Sequence, residues 1–82
     1  MIRVHVKFFA AARDIAGAAE KVMTLPPGST TSAVLAALEK SFPRFLEWKG
    51  HLRIARNLEY VTRDDELNDQ DEVAIIPPVS GG

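Results

Sequence analysis

Cysteine is absent from all 82 residues, which excludes a disulfide framework, a cysteine-ligated zinc site and a thiol nucleophile, and fits a reducing compartment. No run of about 18 apolar residues occurs, and no charged-then-apolar leader with a small-residue cleavage site opens the chain. The expectation is a cytoplasmic protein with neither a membrane span nor a signal peptide. A net charge of −1 lacks the basic footprint of a dedicated nucleic-acid binder. A Gly-rich phosphate loop is also missing: Gly28, Gly50 and the terminal pair Gly81-Gly82 have none of the required spacing, so no nucleotide site is expected in this chain. His5 and His51 have no cysteine or second histidine at ligand spacing and read as structural or exposed.

What is present suffices for one core and one domain, since 46% of the residues are hydrophobic. Ile2, Val4, Val6 and Phe8 alternate with Arg3, His5 and Lys7, a period of two that predicts a first strand with one face in the core. Ala10 to Ala16 reads as a short helix ended by Gly17, and Lys21 to Leu25 as a second strand antiparallel to the first, before Pro26-Pro27-Gly28 turns the chain. Ser29 or Thr30 can cap a helix in which Val34, Leu35, Leu38 and Phe42 repeat at helical spacing and which Pro43 stops. Phe45, Leu46 and Trp48 read as core anchors around a single turn. Leu52 to Arg56 predicts a third strand, Asn57 a turn that tolerates unusual dihedrals, and Tyr60-Val61 a short return. Glu72 to Ile76 is the last strand, and its unbroken Val73-Ala74-Ile75-Ile76 run points to a central position. One main helix on one face of a mixed sheet of about five strands, with the final strand pairing the first in parallel, is the α+β architecture called β-grasp or ubiquitin-like. The domain is expected over residues 1–76 and an extended tail over 77–82.

The tail is Pro77-Pro78-Val79-Ser80-Gly81-Gly82. The proline pair holds the exit extended, and six residues at full stretch reach roughly 20 Å at about 3.3 Å each. Glycine lets backbone approach another surface without a Cβ, which suits a chain end entering a narrow site on a partner. A carboxylate delivered there can attack the α-phosphate of ATP, and the resulting acyl-adenylate can be attacked by a sulfur donor or a thiol. A frayed terminus is the plain alternative. Ser80 has no base beside it in sequence, and its hydroxyl suits seating the tail better than nucleophilic attack.

Charge is unevenly distributed: residues 1–56 hold nine Lys/Arg and four Asp/Glu, and residues 57–82 hold one and seven. An acidic approach to the tail would speed encounter with a basic partner, or is simply a solvated acidic loop. Asp64, Asp65, Glu66, Asp69, Asp71 and Glu72 lack the regular spacing and central glycine of a calcium loop, so a solvated turn with no metal is expected.

The segment Asp69-Gln70-Asp71-Glu72-Val73-Ala74-Ile75-Ile76-Pro77-Pro78-Val79-Ser80-Gly81-Gly82 resembles the end of the small, sulfur-carrying subunits of molybdopterin synthases, and Ile2 to Ala10 is similar to their opening. The resemblance covers essentially the whole chain, and Pro-Pro-Val-Ser-Gly-Gly is its most specific element. Carriers for thiamin or cysteine synthesis keep Gly-Gly but usually not the two prolines. Gln70 departs from the pattern, in which glycine often fills the turn before the last strand. The resemblance implies that an adenylating enzyme similar to ubiquitin-activating enzymes, a sulfurtransferase and a large catalytic subunit act in turn on Gly82. That residue would become a thiocarboxylate and pass its sulfur to a pterin precursor within a heterotetramer. ATP and the pterin would bind the partners and no cofactor would bind here. Pro77, Pro78, Val79, Ser80 and Gly81 would enter the partner's site, and positions matching Phe9, Arg13, Tyr60 and Ile76 would form the docking surface. Carriers for thiamin, cysteine or transfer-RNA thiolation, and a ubiquitin-like modifier or interaction module, remain as alternatives.

Overall fold

The alternating first strand finds two partners, which places it inside the sheet. In the computed structural model, which describes residues 1–48, 51–61 and 65–77, β1 (Ile2–Phe8) pairs antiparallel with β2 (Glu20–Leu25) and parallel with β5 (Glu72–Ile76). On its other side β5 pairs antiparallel with β3 (Arg53–Arg56), and β3 with the two-residue β4 (Glu59–Tyr60). The order is β2-β1-β5-β3-β4, so the apolar final strand is central, as its composition required. A mixed five-stranded sheet covered on one face by a helix is the β-grasp fold.

The covering helix is α2 (Thr31–Ser41), preceded in the chain by the short α1 (Ala11–Ala16) between β1 and β2. Val34, Leu35 and Leu38 on α2 are buried in one cluster with Val4, Val6, Phe8, Ile54, Val73 and Ile75 from the sheet. These residues are spaced three and four apart on the helix and two apart on the strands, which aligns one apolar stripe with one apolar face. The start of α2 differs from the expected cap. Thr30 occupies the N-cap position, but its side chain makes no capping hydrogen bond. The helix entrance is instead stitched to the chain before β5: the Thr31 N–H donates to the Asp65 carbonyl at 2.9 Å and the Leu67 N–H to the Ser29 carbonyl at 2.8 Å. Pro43 ends the helix as its sequence position implies, with Phe42 at the C-cap.

Pro43–Trp48 forms a six-residue 3₁₀ helix, longer than the single turn expected. Its anchor is Phe45, fully buried, with its ring centre 6.2 Å from Phe8, 6.1 Å from Phe42 and 6.3 Å from Trp48. Leu46 is not an anchor: at three residues per turn it points away from Phe45, and it is half exposed.

Candidate functional site

The expected tail is rooted by β5. Its Val73 and Ile75 are fully buried, and Ile76 lies opposite Arg53 at the last rung of the β3 ladder. Pro77 is buried as the chain leaves the sheet. A tail rooted there starts from the middle of the sheet, not from an edge. The expected tail residues Pro78, Val79, Ser80, Gly81 and Gly82 lie outside the described residues.

The opposite end of β5 is locked by side chains. Asp71, just before the strand and only 7% exposed, accepts hydrogen bonds from the Asn68 N–H at 2.8 Å, Arg56 Nε at 3.0 Å and Asn57 Nδ2 at 3.1 Å. Burial pushes this carboxyl up, but the Asn68, Asn57 and Arg56 donors outweigh it and hold its pKa below the ordinary value of 3.8. Asn57 also binds β5 directly: its Oδ1 accepts from the Glu72 N–H at 2.9 Å, and its own N–H donates to the Glu72 carbonyl at 2.9 Å. The turn before β5 closes on β1. The Gln70 N–H donates to the Arg3 carbonyl at 2.6 Å, and the Arg3 N–H to Asp69 Oδ1 at 2.7 Å. That bond to the Arg3 N–H is the main reason the Asp69 carboxyl lies below its ordinary value. Gln70 adopts φ +71°, the left-handed conformation for which glycine is suited.

The acidic segment therefore needs a correction. Asp71 is a buried structural carboxylate and Asp69 a backbone acceptor, so these two do not belong to a merely solvated turn. Asp64 lies outside the described residues. Among the described residues no group of three or more His, Cys, Asp or Glu side chains is placed to hold a metal ion. His5 is partly buried on β1 with Nε2 2.8 Å from Gln70 Oε1, and His51 is exposed.

Of the expected docking residues, Ile76 and Tyr60 fall on the uncovered face of the sheet and Phe9 continues β1 beside it. Phe9 is 44% exposed where Phe8 is buried, and its N–H reaches the Ile75 carbonyl at 3.3 Å, which continues β1 alongside the end of β5. Ile76 is half-buried, and Tyr60 is 68% exposed on β4. Arg13 is exposed on α1, whose entry at Ala10 takes φ +50° and ψ −128°. The three apolar residues do not form one unbroken patch. Tyr60 is the cross-strand partner of Ala55, two residues along β3 from the Arg53–Ile76 rung and so on the same face, and the Arg53 Cζ lies 5.8 Å from the Tyr60 ring centre. A cation thus stands between Ile76 and Tyr60. Sequence reasoning missed Arg53 because only the β3–β4 register brings it to the ring.

The pattern of the ThiS family matches residues 6–82. The chain belongs to the ThiS family. It is 38% identical over 81 residues to the molybdopterin synthase sulfur carrier subunit of Arabidopsis thaliana, a match spanning 99% of this chain and 84% of that one. Among solved structures, the small archaeal modifier protein 1 of Methanosarcina acetivorans superposes with a TM-score of 0.82 at 29% identity, covering 100% of this chain and 98% of the other. A protein–protein complex of subunits 1 and 2 of the molybdopterin-converting factor from Helicobacter pylori contains a chain that superposes with a TM-score of 0.67 at 26% identity, covering 99% of this chain and 100% of the other. This ThiS-family chain thus shares its fold with a small archaeal modifier protein and with a chain of a two-subunit complex, and its sequence is similar to that of a sulfur carrier subunit. Among its described residues no helix is long and apolar enough to cross a membrane.

Proposed function

We propose that this chain is the sulfur carrier subunit of molybdopterin synthase, a tethered substrate that acts only with its partners. The observation that carries this reading is the course of β5, held between β1 and β3 and running directly into Pro77 ahead of Pro78-Val79-Ser80-Gly81-Gly82. A reactive end on such a root can enter a partner's pocket while the domain stays folded outside it.

In the proposed cycle a Gly82 carboxylate oxygen attacks the α-phosphorus of ATP in an adenylating partner, and pyrophosphate leaves. A persulfide on a sulfurtransferase then attacks the acyl carbon and AMP leaves; a second thiol cleaves the acyl disulfide so formed, which leaves the thiocarboxylate and a disulfide on the donor side. Pro77 is buried against the domain, so the large subunit of the synthase takes in Pro78 to Gly82; the thiocarboxylate sulfur bonds to a pterin precursor, and water cleaves the acyl–sulfur bond to return the carboxylate. A dithiolene has two sulfurs, so two charged carriers serve each product, and each spent carboxylate is recharged. ATP and the pterin bind the partners in this scheme. Phe9, Arg13, Tyr60 and Ile76 hold the large subunit while the tail is inserted.

Intact-mass analysis of the protein purified from its own cells tests the cycle. The expected C-terminal fragment is heavier by the exchange of one oxygen for sulfur, and one residue added after Gly82 abolishes the modification. An unmodified tail after incubation with an activating enzyme, ATP and a sulfur donor would overturn the carrier reading. The likeness to an archaeal modifier protein favours a second reading, in which Gly82 forms an amide with a lysine of another protein. Conjugates without a thiocarboxylate would select it.

A further inference from the structure

The uncovered face of the sheet has a low centre. Lys7, Ala74, Ala55 and Tyr60 are successive cross-strand partners in one row, so two alanines form a floor with Tyr60 at its β4 side. In the neighbouring row Arg53 lies opposite Ile76. An open cleft of about 250 Å³ adjoins them, lined by Leu52, Arg53, Ile54, Tyr60 and Val61. Arg53 belongs to both features.

The cations nearby differ in how they are matched. Lys7 is paired with Glu72 at 3.1 Å and Arg56 with Asp71 at 3.0 Å. Among the described residues Arg53 has no carboxylate within salt-bridge distance. Its exposed guanidinium lies against the Tyr60 ring, 5.8 Å from the centre. Contact with a ring face restricts the planar group while leaving its in-plane N–H donors unused, so little freedom is lost when a two-oxygen acceptor arrives. A single unmatched cation beside Ile76, Leu52 and Val61 suits a single charge with apolar neighbours. A phosphate-rich ligand would call for several cations, and Lys7 across the alanine floor is already neutralised.

We infer that Arg53, held on Tyr60, receives an Asp or Glu side chain of the protein that takes in the tail, while the adjoining cleft accepts an apolar residue next to that acid. The inference rests on the carrier reading and deepens it by naming the chemistry of the partner's surface. The contact continues the Phe9–Ile76 patch across β3, so one partner can cover both.

The test is equilibrium binding of the full chain to the large subunit of molybdopterin synthase from the same cells, at low and at physiological salt. Arg53→Gln is expected to raise Kd about tenfold or more and to flatten its salt dependence. Arg53→Lys, which keeps the charge but not the planar fork, should recover only part of the affinity. Lys40→Gln, on the exposed last turn of α2, should bind like the unsubstituted chain. Thermal melting should be unchanged in all three. Unaltered affinity and salt slope in Arg53→Gln would overturn the inference, as would an equal loss in Lys40→Gln or full recovery in Arg53→Lys. If the unsubstituted chain fails to bind the large subunit at all, the carrier reading of the partner fails, and the Arg53 contact with it.

Discussion

Asn57 and Leu58 turn the chain between β3 and β4 at φ +49° and +73°, the left-handed pair that a two-residue hairpin requires. Asn57 suits that conformation and also spans β5 through Glu72 and Asp71. Leu58 is 90% exposed and gains no burial there. Leu58→Gly should therefore raise stability by about 0.5–1 kcal/mol in urea unfolding, the left-handed strain relieved less the added unfolded-state entropy. Asn57→Gly keeps the backbone preference but removes two side-chain bonds and should cost about 1–3 kcal/mol. Equal effects of the two substitutions would refute this division of roles. Asp71 sets a pH dependence of definite sign. Its folded pKa lies below 3.8, so its contribution is whole above about pH 5 and is lost as pH falls through 3.8 and on past the lower folded value. Urea midpoints measured from pH 6 downward should fall in that window for the native chain. They should fall less steeply for Asp71→Asn, which starts less stable.

Among the elements, the 3₁₀ helix separates packing from mere hydrophobicity. Phe45→Ala removes the ring that meets Phe8, Phe42 and Trp48 and should cost about 3–5 kcal/mol. Leu46→Ala, one residue on, should stay within about 0.5 kcal/mol. Comparable losses at both sites would mean that the segment packs differently. Strands β1 and β5 and helix α2 were legible because their periods of two and 3.6 matched burial on one face. The 3₁₀ segment was read only in part, since spacing of three is indistinguishable from a helical turn over so few residues. The Asn57–Asp71 lock was invisible for another reason: its partners are 14 positions apart, and Asp71 sits among carboxylates that share its chemistry but not its burial. The tail was the plainest sequence feature, and it lies outside the described residues.

At the scale of the whole molecule, one face of the sheet supports the core and the other is left uncovered by the described residues. Phe9 is too exposed for its loss to open a cavity. Phe9→Ala should therefore weaken binding to the large subunit by about 1 kcal/mol or more while shifting the thermal midpoint little. A large fall in the midpoint with unchanged affinity would instead make Phe9 a packing residue. Acidic residues leading into β5 that looked like one charged loop serve different ends: Asp71 secures the fold, Asp69 closes the turn and Glu72, the first residue of the strand, neutralises Lys7 on the open face.

The central position of β5 also bears on mechanical load. A partner that withdraws the tail pulls along this strand, and β1 and β3 resist on its two sides. The force then acts along the strands and loads both ladders in shear, so their hydrogen bonds must give way together, whereas an edge strand pulled sideways would unzip one bond at a time. Under the proposed cycle, a domain pulled by its tail would resist in shear and would not unravel from that end.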